Sequence, residues 1–367
     1  MAKSTGRAEG RFKQLCCVGL GGEAVIPALL AELHAIVPSY SNNFFFADAA
    51  GLPANIYDEN PGFYDLMPVY KEIFYERGDR AVKGLAYSEA SATQFGVYDA
   101  AAAMGSDEVW ARSDIYNAIA RPLGYKTDFL RMVIRDGGQK RTLGLVDLYT
   151  SPGARSWTAE EKHRLARLEP FFAHALMARG EDDGLLAEGS RSGIIVADEA
   201  GRPLHLSAEA RRLLFLATHP RNAPGRSSDG FPTLPEAVVR ICRNLSRASL
   251  GDPAASAPTC HHRNVWGGFR FRAEWLGTRD GSGLIAVSIN HEEPLLLRLS
   301  RGVNSLPLTR RQAEACLLMA NGLSREQIAE RLGISRHTAG EHARWVYHRL
   351  EVHNRSELVS LLLSTGG

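Results

Sequence analysis

Residues 306–363, LPLTRRQAEACLLMANGLSREQIAERLGISRHTAGEHARWVYHRLEVHNRSELVSLLL, carry the most regular punctuation in the chain. Thr309 is an N-cap candidate, and Ala313, Cys316, Leu317 and Ala320 follow it at helical spacing. Asn321-Gly322 supplies residues that tolerate the left-handed conformation of a helix C-terminus. Ser324 opens a second helix, with Gln327 completing a capping box, and Ile328, Ala329 and Leu332 form its buried stripe. Gly333 makes the next turn, Ile334 plugs the core, and Ser335 opens a third helix. Two short helices meeting at a glycine turn predict a helix-turn-helix. Ser356 reads as the cap of a fourth helix, whose Leu358, Leu361 and Leu362 need a partner surface.

Within the third helix, Ala339, Ala343, Val346 and Leu350 recur as an inward stripe. His337, Gly340, Glu341, Arg344 and His348 fall on the outward face, which carries bulk, charge and donors. On these residues, GLSREQIAERLGISRHTAGEH followed by RLEVHNRSEL resembles the four-helix DNA-binding domain of LuxR-type transcription regulators. The resemblance implies a third helix docked in the major groove and a dimer formed through the fourth. It implies Thr338 and His342 near the DNA backbone and Arg344 facing the groove. The sequence departs from the family at Ala339, where a larger aliphatic residue is usual, and at Gly340, where a cation is common. Glycine costs about 1 kcal/mol of helix propensity relative to alanine. Either Gly340 lets the helix approach DNA more closely, or base readout has moved to Arg344 and Glu341. Arginine suits guanine O6/N7, and glutamate accepts from cytosine N4.

The candidate DNA-binding residues are therefore Arg325, Ser335, Arg336, His337, Thr338, Gly340, Glu341, His342, Arg344 and Arg349. Arg325, Arg336, Thr338 and His342 are expected on phosphates, and Arg344, Glu341 and His337 on bases. Leu358, Leu361 and Leu362 are the candidate dimer contacts. The chain's net charge is only +2, and residues 304–367 hold eight arginines and four histidines against six glutamates. So modest a surplus predicts weak non-specific affinity, with useful binding requiring two copies on one site.

Five cysteines at wide spacing, Cys16 and Cys17 adjacent, predict reduced thiols and a cytoplasmic protein. No apolar run approaches ~18 residues, so no membrane span is expected. The first residues read as a frayed lead-in without the features of a signal peptide. A chain of 367 residues accommodates two or three domains.

Upstream, Ile26, Leu29, Leu30, Leu33 and Ile36 predict a helix from Glu23 to Val37. Residues 40–51 read as a strand with a turn at its end, 52–62 as loop, and 63–77 and 108–124 as helices. Residues 127–151 read as a hairpin around Asp136-Gly137-Gly138. Thr158 and Glu161 form a capping box opening one long amphipathic helix. LGLVDLYTSPGARSWTAEEKHRLARLEPFFAHAL resembles the end of a GAF-type sensory domain. EDDGLLAEGS is expected to be a linker. SGIIVADEAGRPLHLSAEARRLLFLA then reads as strand, turn, strand and a helix opened by Ser207, and resembles a PAS-type domain. That resemblance implies a small-molecule or partner site between helices and a curved sheet. A Pro/Gly/Ser-rich loop (218–237), a helix (238–250), a closing hairpin (269–293) and a linker (295–307) complete the segment. The predicted fold class is multidomain α/β plus all-α. It comprises a GAF-like domain (1–181), a PAS-like domain (185–295) and a LuxR-type helix-turn-helix domain (304–367).

The aromatic residues Phe44, Phe46, Tyr57, Trp110 and Tyr116 are candidates for an effector pocket, because such pockets are mostly apolar. The Trp/Tyr/Asp/Pro set of regulators that bind acyl-homoserine lactones does not align here. Cys242 with Cys260-His261-His262 matches no standard zinc spacing and reads as loop, so neither a metal nor a cofactor is expected. Enzyme signatures are missing. The sequence thus predicts a dimeric transcription regulator with double-stranded DNA, a second copy and a small-molecule effector as partners; RNA polymerase is a further candidate. The alternative is that the upstream domains bind another protein and take no ligand.

Overall fold

A computed structural model describes residues 2–48, 51, 53–74, 96–99, 107–126, 129–137, 141–178, 185–219, 234–277 and 283–366. The chain divides into two compact units, Met1–Gly180 with Arg191–His291, and Glu181–Ser190 with Glu292–Gly367.

The first unit opens with α1 (Ala2–Cys16) and α2 (Gly22–Leu33). The expected frayed lead-in is thus a helix. Its Ala8, Phe12, Leu15 and Cys16 are buried at helical spacing, and Phe12 meets Phe172 edge-on at 4.9 Å. The strands β1 (Ser41–Ala47), β2 (Pro53–Asp58), β3 (Val97–Asp99), β4 (Phe129–Arg135) and β5 (Thr142–Tyr149) form one antiparallel sheet in the order β2-β1-β5-β4-β3. Residues 53–58 are therefore strand, not the expected loop. Their Asn and Asp content hides a ladder that β1 completes by pairing Phe44 with Tyr57 and Asn43 with Asp58. The expected hairpin is β4–β5, although Gly138 lies outside the described residues.

Period-two alternation gives the sheet two different faces. Phe44 points towards α1 and α6 (Glu169–Met177), stacking 6.1 Å from Phe172. Phe45 and Phe129 point the other way, towards α3 (Phe63–Val69), α4 (Asp107–Arg112) and the π-helical turn Tyr116–Ala120. The Thr158–Glu161 capping box forms, with Thr158 N donating to Glu161 Oε2 at 2.9 Å. It opens α5 (Ala159–Ala166), a short helix and not a long one. Pro170 lacks an N–H to continue the ladder and instead sits in the first turn of α6.

The second sheet uses β6 (Leu186–Asp198), β7 (Pro203–Leu206), β8 (Thr259–Asn264), β9 (Gly267–Leu276) and β10 (Leu284–Pro294), with α7 (Ala208–Thr218) and α8 (Glu236–Ser249). Its order, β7-β6-β10-β9-β8, repeats that of the first sheet. Ser207 caps α7 as expected, accepting from Ala210 N at 3.2 Å. The expected linker EDDGLLAEGS is strand from Leu186 onward, and Cys260, His261 and His262 belong to β8 instead of a loop. Most of the Pro/Gly/Ser-rich segment and the link between β9 and β10 fall outside the described residues. Trp266, buried beside β9, packs 5.5 Å from Phe46 and 6.0 Å from Tyr57. Arg212 Nη1 donates to Glu59 O at 2.9 Å, and Arg211 pairs with Asp65 at 2.8 Å.

In the second unit, the expected linker 295–307 is largely helix: α9 (Leu295–Ser305) buries Leu299 and Val303, one turn apart. The helices α10 (Arg310–Ala320), α11 (Arg325–Leu332), α12 (Arg336–Arg349) and α13 (Arg355–Thr365) follow. They share a core of Cys316, Ile328, Ala339, Ala343, Val346 and Leu358. Burying each large aliphatic side chain contributes about 1.5–3 kcal/mol. Among the described residues, no helix is long and apolar enough to cross a membrane.

Candidate nucleic-acid interface

The turn between α11 and α12 is set by Gly333, whose φ of 63° lies in the left-handed region that a Cβ disfavours. Ser335 then takes an extended conformation and accepts from Thr338 N at 3.0 Å, so helical geometry starts at Arg336. A cap of this kind contributes about 1 kcal/mol. The Ser324–Gln327 box is reciprocal, at 2.8 and 3.3 Å. α13 is capped by Asn354, which accepts from Glu357 N at 2.9 Å; Ser356, the expected cap, lies inside the helix. Asn354 competes better because the Glu357 carboxylate reaches back to His353 N at 2.8 Å.

The expected stripes of α12 separate with two exceptions. Ala339, Ala343 and Val346 are buried and Arg336, His337, Glu341, Arg344 and His348 are exposed, but Gly340, expected outward, is buried, and Leu350, expected inward, is half-buried. Arg325, Arg336, His337, Gly340 and Arg344 line one shallow hollow in the surface. A Cβ built on Gly340 would meet nothing within 4 Å, so the glycine opens the hollow without being required by packing. Arg336 pairs with Glu326 across the turn at 2.6 Å, and Arg344 pairs with Glu341 on its own helix. His337 Nε2 lies 3.9 Å from Glu341. Exposed pairs contribute only about 0.2–1 kcal/mol, so an incoming phosphate or base edge competes readily for these cations.

The remaining expected residues are less concentrated. Thr338 is half-buried, its hydroxyl 2.8 Å from that of Ser335, and both serve the cap. His342 is half-buried, and Arg349 is exposed at the far end of α12. Leu358 and Leu362, expected as dimer contacts, are instead fully buried in the unit's own core; Leu361 is half-buried. The cause is α9, which lies along α13: Arg298 Nη1 donates to Gly366 O at 2.7 Å, and a Cβ on Gly302 would overlap the Leu362 carbonyl. Trp345, 39% exposed beside Arg344, was not anticipated; its only signal in the sequence is an aromatic off the inward stripe.

In the first unit a separate cavity of about 70 Å³ lies between the sheet and the helices on its Phe45 face. Of the expected aromatics, Trp110 lines it, and Tyr116 packs behind Trp110 at 5.6 Å. Phe44, Phe46 and Tyr57 are on the opposite face of the sheet, against Phe172 or Trp266. Strand alternation puts Asn43, Asp58, Arg131 and Asp147 on the wall instead. Arg131 and Asp147 form a two-pronged pair, with both bonds at 2.7 Å. Burial pushes the Asp58 carboxyl up to about 7, against the opposing pull of the Asn60 N–H and the Tyr125 hydroxyl. Among the described residues, no three His, Cys, Asp or Glu side chains gather as a metal site.

Residues 306–362 match the family described as "Bacterial regulatory proteins, luxR family". The probable transcriptional regulatory protein SgaR of Hyphomicrobium methylovorum is 35% identical over 111 residues, covering 25% of this chain and 53% of that protein. The chain thus spans about half the length of this curated relative. A phage VqmA–DPO complex overlaps 49% of this chain and 85% of its own at 18% identity, with a TM-score of 0.19. The E. coli DhaR(N)–DhaL complex overlaps 79% of this chain and 89% of its own at 12% identity, with a TM-score of 0.26. TM-scores this low establish no shared fold. What the family match and the capped, glycine-turned pair α11–α12 do establish is local: residues 306–362 are a helix-turn-helix domain of the luxR family of bacterial regulatory proteins.

Proposed function

We propose that the chain is a transcription regulator that reads the major groove with α12, acts as a dimer, and is controlled by a small effector taken up by the upstream unit. The observation that carries this reading is the hollow around Gly340, rimmed by Arg325, Arg336, His337 and Arg344. Arg325 and Arg336, at the N-terminal ends of α11 and α12, suit phosphate positioning. Arg344, further along the outward face, suits base readout once it exchanges Glu341 for a guanine edge. The GAF-like (1–181), PAS-like (185–295) and reader (304–367) division is kept as part of this reading, supported by two sheets of one strand order. With Leu358 and Leu362 occupied, the fringe of α13 at Leu361 is left for a second copy. α9 covers this helix, so any change in α9 alters what α13 offers. A signal controls DNA binding only through different affinities for two such arrangements.

The test is a duplex selection with the full chain, followed by anisotropy titrations. Arg344→Ala is expected to cost about 1–3 kcal/mol on the selected site and to relax preference at one base pair. If all duplexes weaken equally, Arg344 is a phosphate contact. If no duplex binds at low ionic strength, the reading of α12 fails.

A further inference from the structure

Trp345 is 39% exposed on α12, an uncommon setting for so large an aromatic side chain, whereas Trp110, Trp157 and Trp266 are buried. The indole N–H groups of Trp157 and Trp266 are in use, donating to Pro38 O at 2.8 Å and to His219 O at 3.3 Å. Among the described residues, no hydrogen bond or ring contact engages Trp345, and it takes no part in the core of the second unit. An indole N–H can only donate, so whatever completes it is an acceptor.

Helical periodicity puts Trp345 on the flank of α12 away from the hollow. At 3.6 residues per turn it stands about 180° around the helix from Arg336 and about 140° from Gly340. Thr338, His342, Trp345 and Arg349 recur at spacings of four, three and four, so they form one stripe about 16 Å long on that flank. Arg349 is exposed at the end of this stripe and has no ion pair among the described residues. On the hollow's side, by contrast, Arg336 is held by Glu326 at 2.6 Å. Between the two flanks lie His337, Glu341 and His348, all exposed. A helix with its side chains is about 10–12 Å across, and the major groove is about 12 Å wide. A helix seated there nearly fills the width, so its two flanks meet the sugar–phosphate backbones of opposite strands.

We propose that Trp345 is the contact to the second DNA strand. Its indole N–H donates to a backbone phosphate, its ring lies against the adjoining deoxyribose, and Arg349, one turn further on, pairs with a neighbouring phosphate. Arg325 and Arg336 at the hollow hold the first strand, so the two flanks fix α12 between the groove walls and set its register. Tryptophan suits this task because a rigid ring with two side-chain torsions gives a large contact at little cost in conformational entropy. The floor of the groove belongs to the residues between the flanks, which leaves Trp345 to the wall. The cation at Arg349 favours a polyanion over an apolar protein surface as the neighbour of the ring. This assignment rests on the reading that α12 docks in the major groove, and it names the residue that meets the far strand.

The experiment uses the full chain, the selected duplex and a scrambled one, with anisotropy titrations across a salt series. Trp345→Phe keeps a ring but lacks the N–H. It is expected to weaken both duplexes by the same factor, about 2- to 10-fold, without changing the salt slope, because no charge is lost. Trp345→Ala, which also removes the packing, is expected to weaken them about 10- to 100-fold. Arg349→Gln should lower the salt slope by about one unit. The urea midpoint of Trp345→Phe is expected to match the parent's, since the ring lies outside the core. With 15N-labelled indoles, of which the chain has five, the signal missing from Trp345→Phe should shift saturably when duplex is added to the parent. Parent-like binding by both Trp345 variants, as a ring serving a protein partner would give, overturns the proposal, and so does an indole signal indifferent to duplex. A change of preference at one base pair in Trp345→Phe makes the ring a base contact and overturns the backbone assignment. If the parent binds no duplex at low ionic strength, the reading of α12 fails and the proposal with it. If the parent binds and Arg344→Ala relaxes preference while the Trp345 variants bind as the parent does, the proposal alone fails.

Discussion

Gly302→Ala places two effects of opposite sign on one methyl group. In an isolated helix alanine is better than glycine by about 1 kcal/mol, so propensity alone predicts stabilisation of α9. The structure predicts the reverse. A Cβ at position 302 would press into the carbonyl of Leu362 and stand 2.8 Å from that residue's Cα. Leu362 lies in the last turn of α13, where its carbonyl accepts from Gly366 N at 3.1 Å; this backbone cannot rotate aside as a side chain would, so α9 must shift. Overpacking of this kind costs about 1–3 kcal/mol. The shift also strains the bonds from Arg298 to Gly366 O and Leu363 O, at 2.7 and 3.3 Å, each worth about 1 kcal/mol. The expected balance is a net loss of about 1–3 kcal/mol. Since the chain divides into two compact units, the local readout is native-state hydrogen exchange at α13 amides, which should accelerate by about 5- to 150-fold. Slower exchange at α13 in Gly302→Ala would mean that propensity dominates, and the close packing of α9 on α13 would be refuted.

Gly340→Lys is expected to fold at least as stably as the parent, by up to about 1 kcal/mol, because its Cβ enters open space and the helix loses a glycine. It should raise duplex affinity and steepen the dependence of log affinity on log salt by about one unit, measured by anisotropy across a salt series. An unchanged salt slope would put position 340 away from phosphate. Asp58→Asn is expected to stabilise the first unit near neutral pH. The folded Asp58 holds its proton up to about pH 7, whereas the unfolded carboxyl releases it near its ordinary value of 3.8. The parent therefore loses stability as pH rises through that window, by on the order of 4 kcal/mol. Urea titrations from pH 4 to 8 should show this slope in the parent and not in the variant. A parent that gains stability over this range relative to Asp58→Asn would contradict a carboxyl whose charge is disfavoured by burial.

Much of the fold is legible because local chemistry and tertiary packing agree. Ser207, Ser324 and Ser335 cap the helices their positions suggest, and Gly333 turns where its lack of Cβ is needed. The failures come where composition and context disagree. Residues 53–58 are rich in turn formers, yet β1 offers them a ladder, and tertiary pairing overrides propensity. Residues 295–305 look like a link between domains because their apolar positions lack an obvious partner until α13 is in place. The same contact explains Leu358 and Leu362. An apolar stripe on a terminal helix identifies a buried face, but not whether a second copy or the same chain buries it.

The upstream pocket fails for a different reason, and it bears on what a ligand site consists of. Aromatic residues at positions 44, 46 and 57 are attractive as a pocket because they are large and apolar, but those properties serve a core equally well. Phe44 and Tyr57 are fully buried there, against Phe172 and Trp266. Alternation makes the choice binary: if Phe44 and Phe46 face one layer, Asn43 and Phe45 face the other. The residues that lower stability identify the cavity better than those that raise it. An unpaired buried hydrogen-bonding atom costs about 1–3 kcal/mol, and this wall carries three. A core selected for stability alone would replace Asp58 with an apolar residue of similar volume, since its ionisation at neutral pH works against the fold.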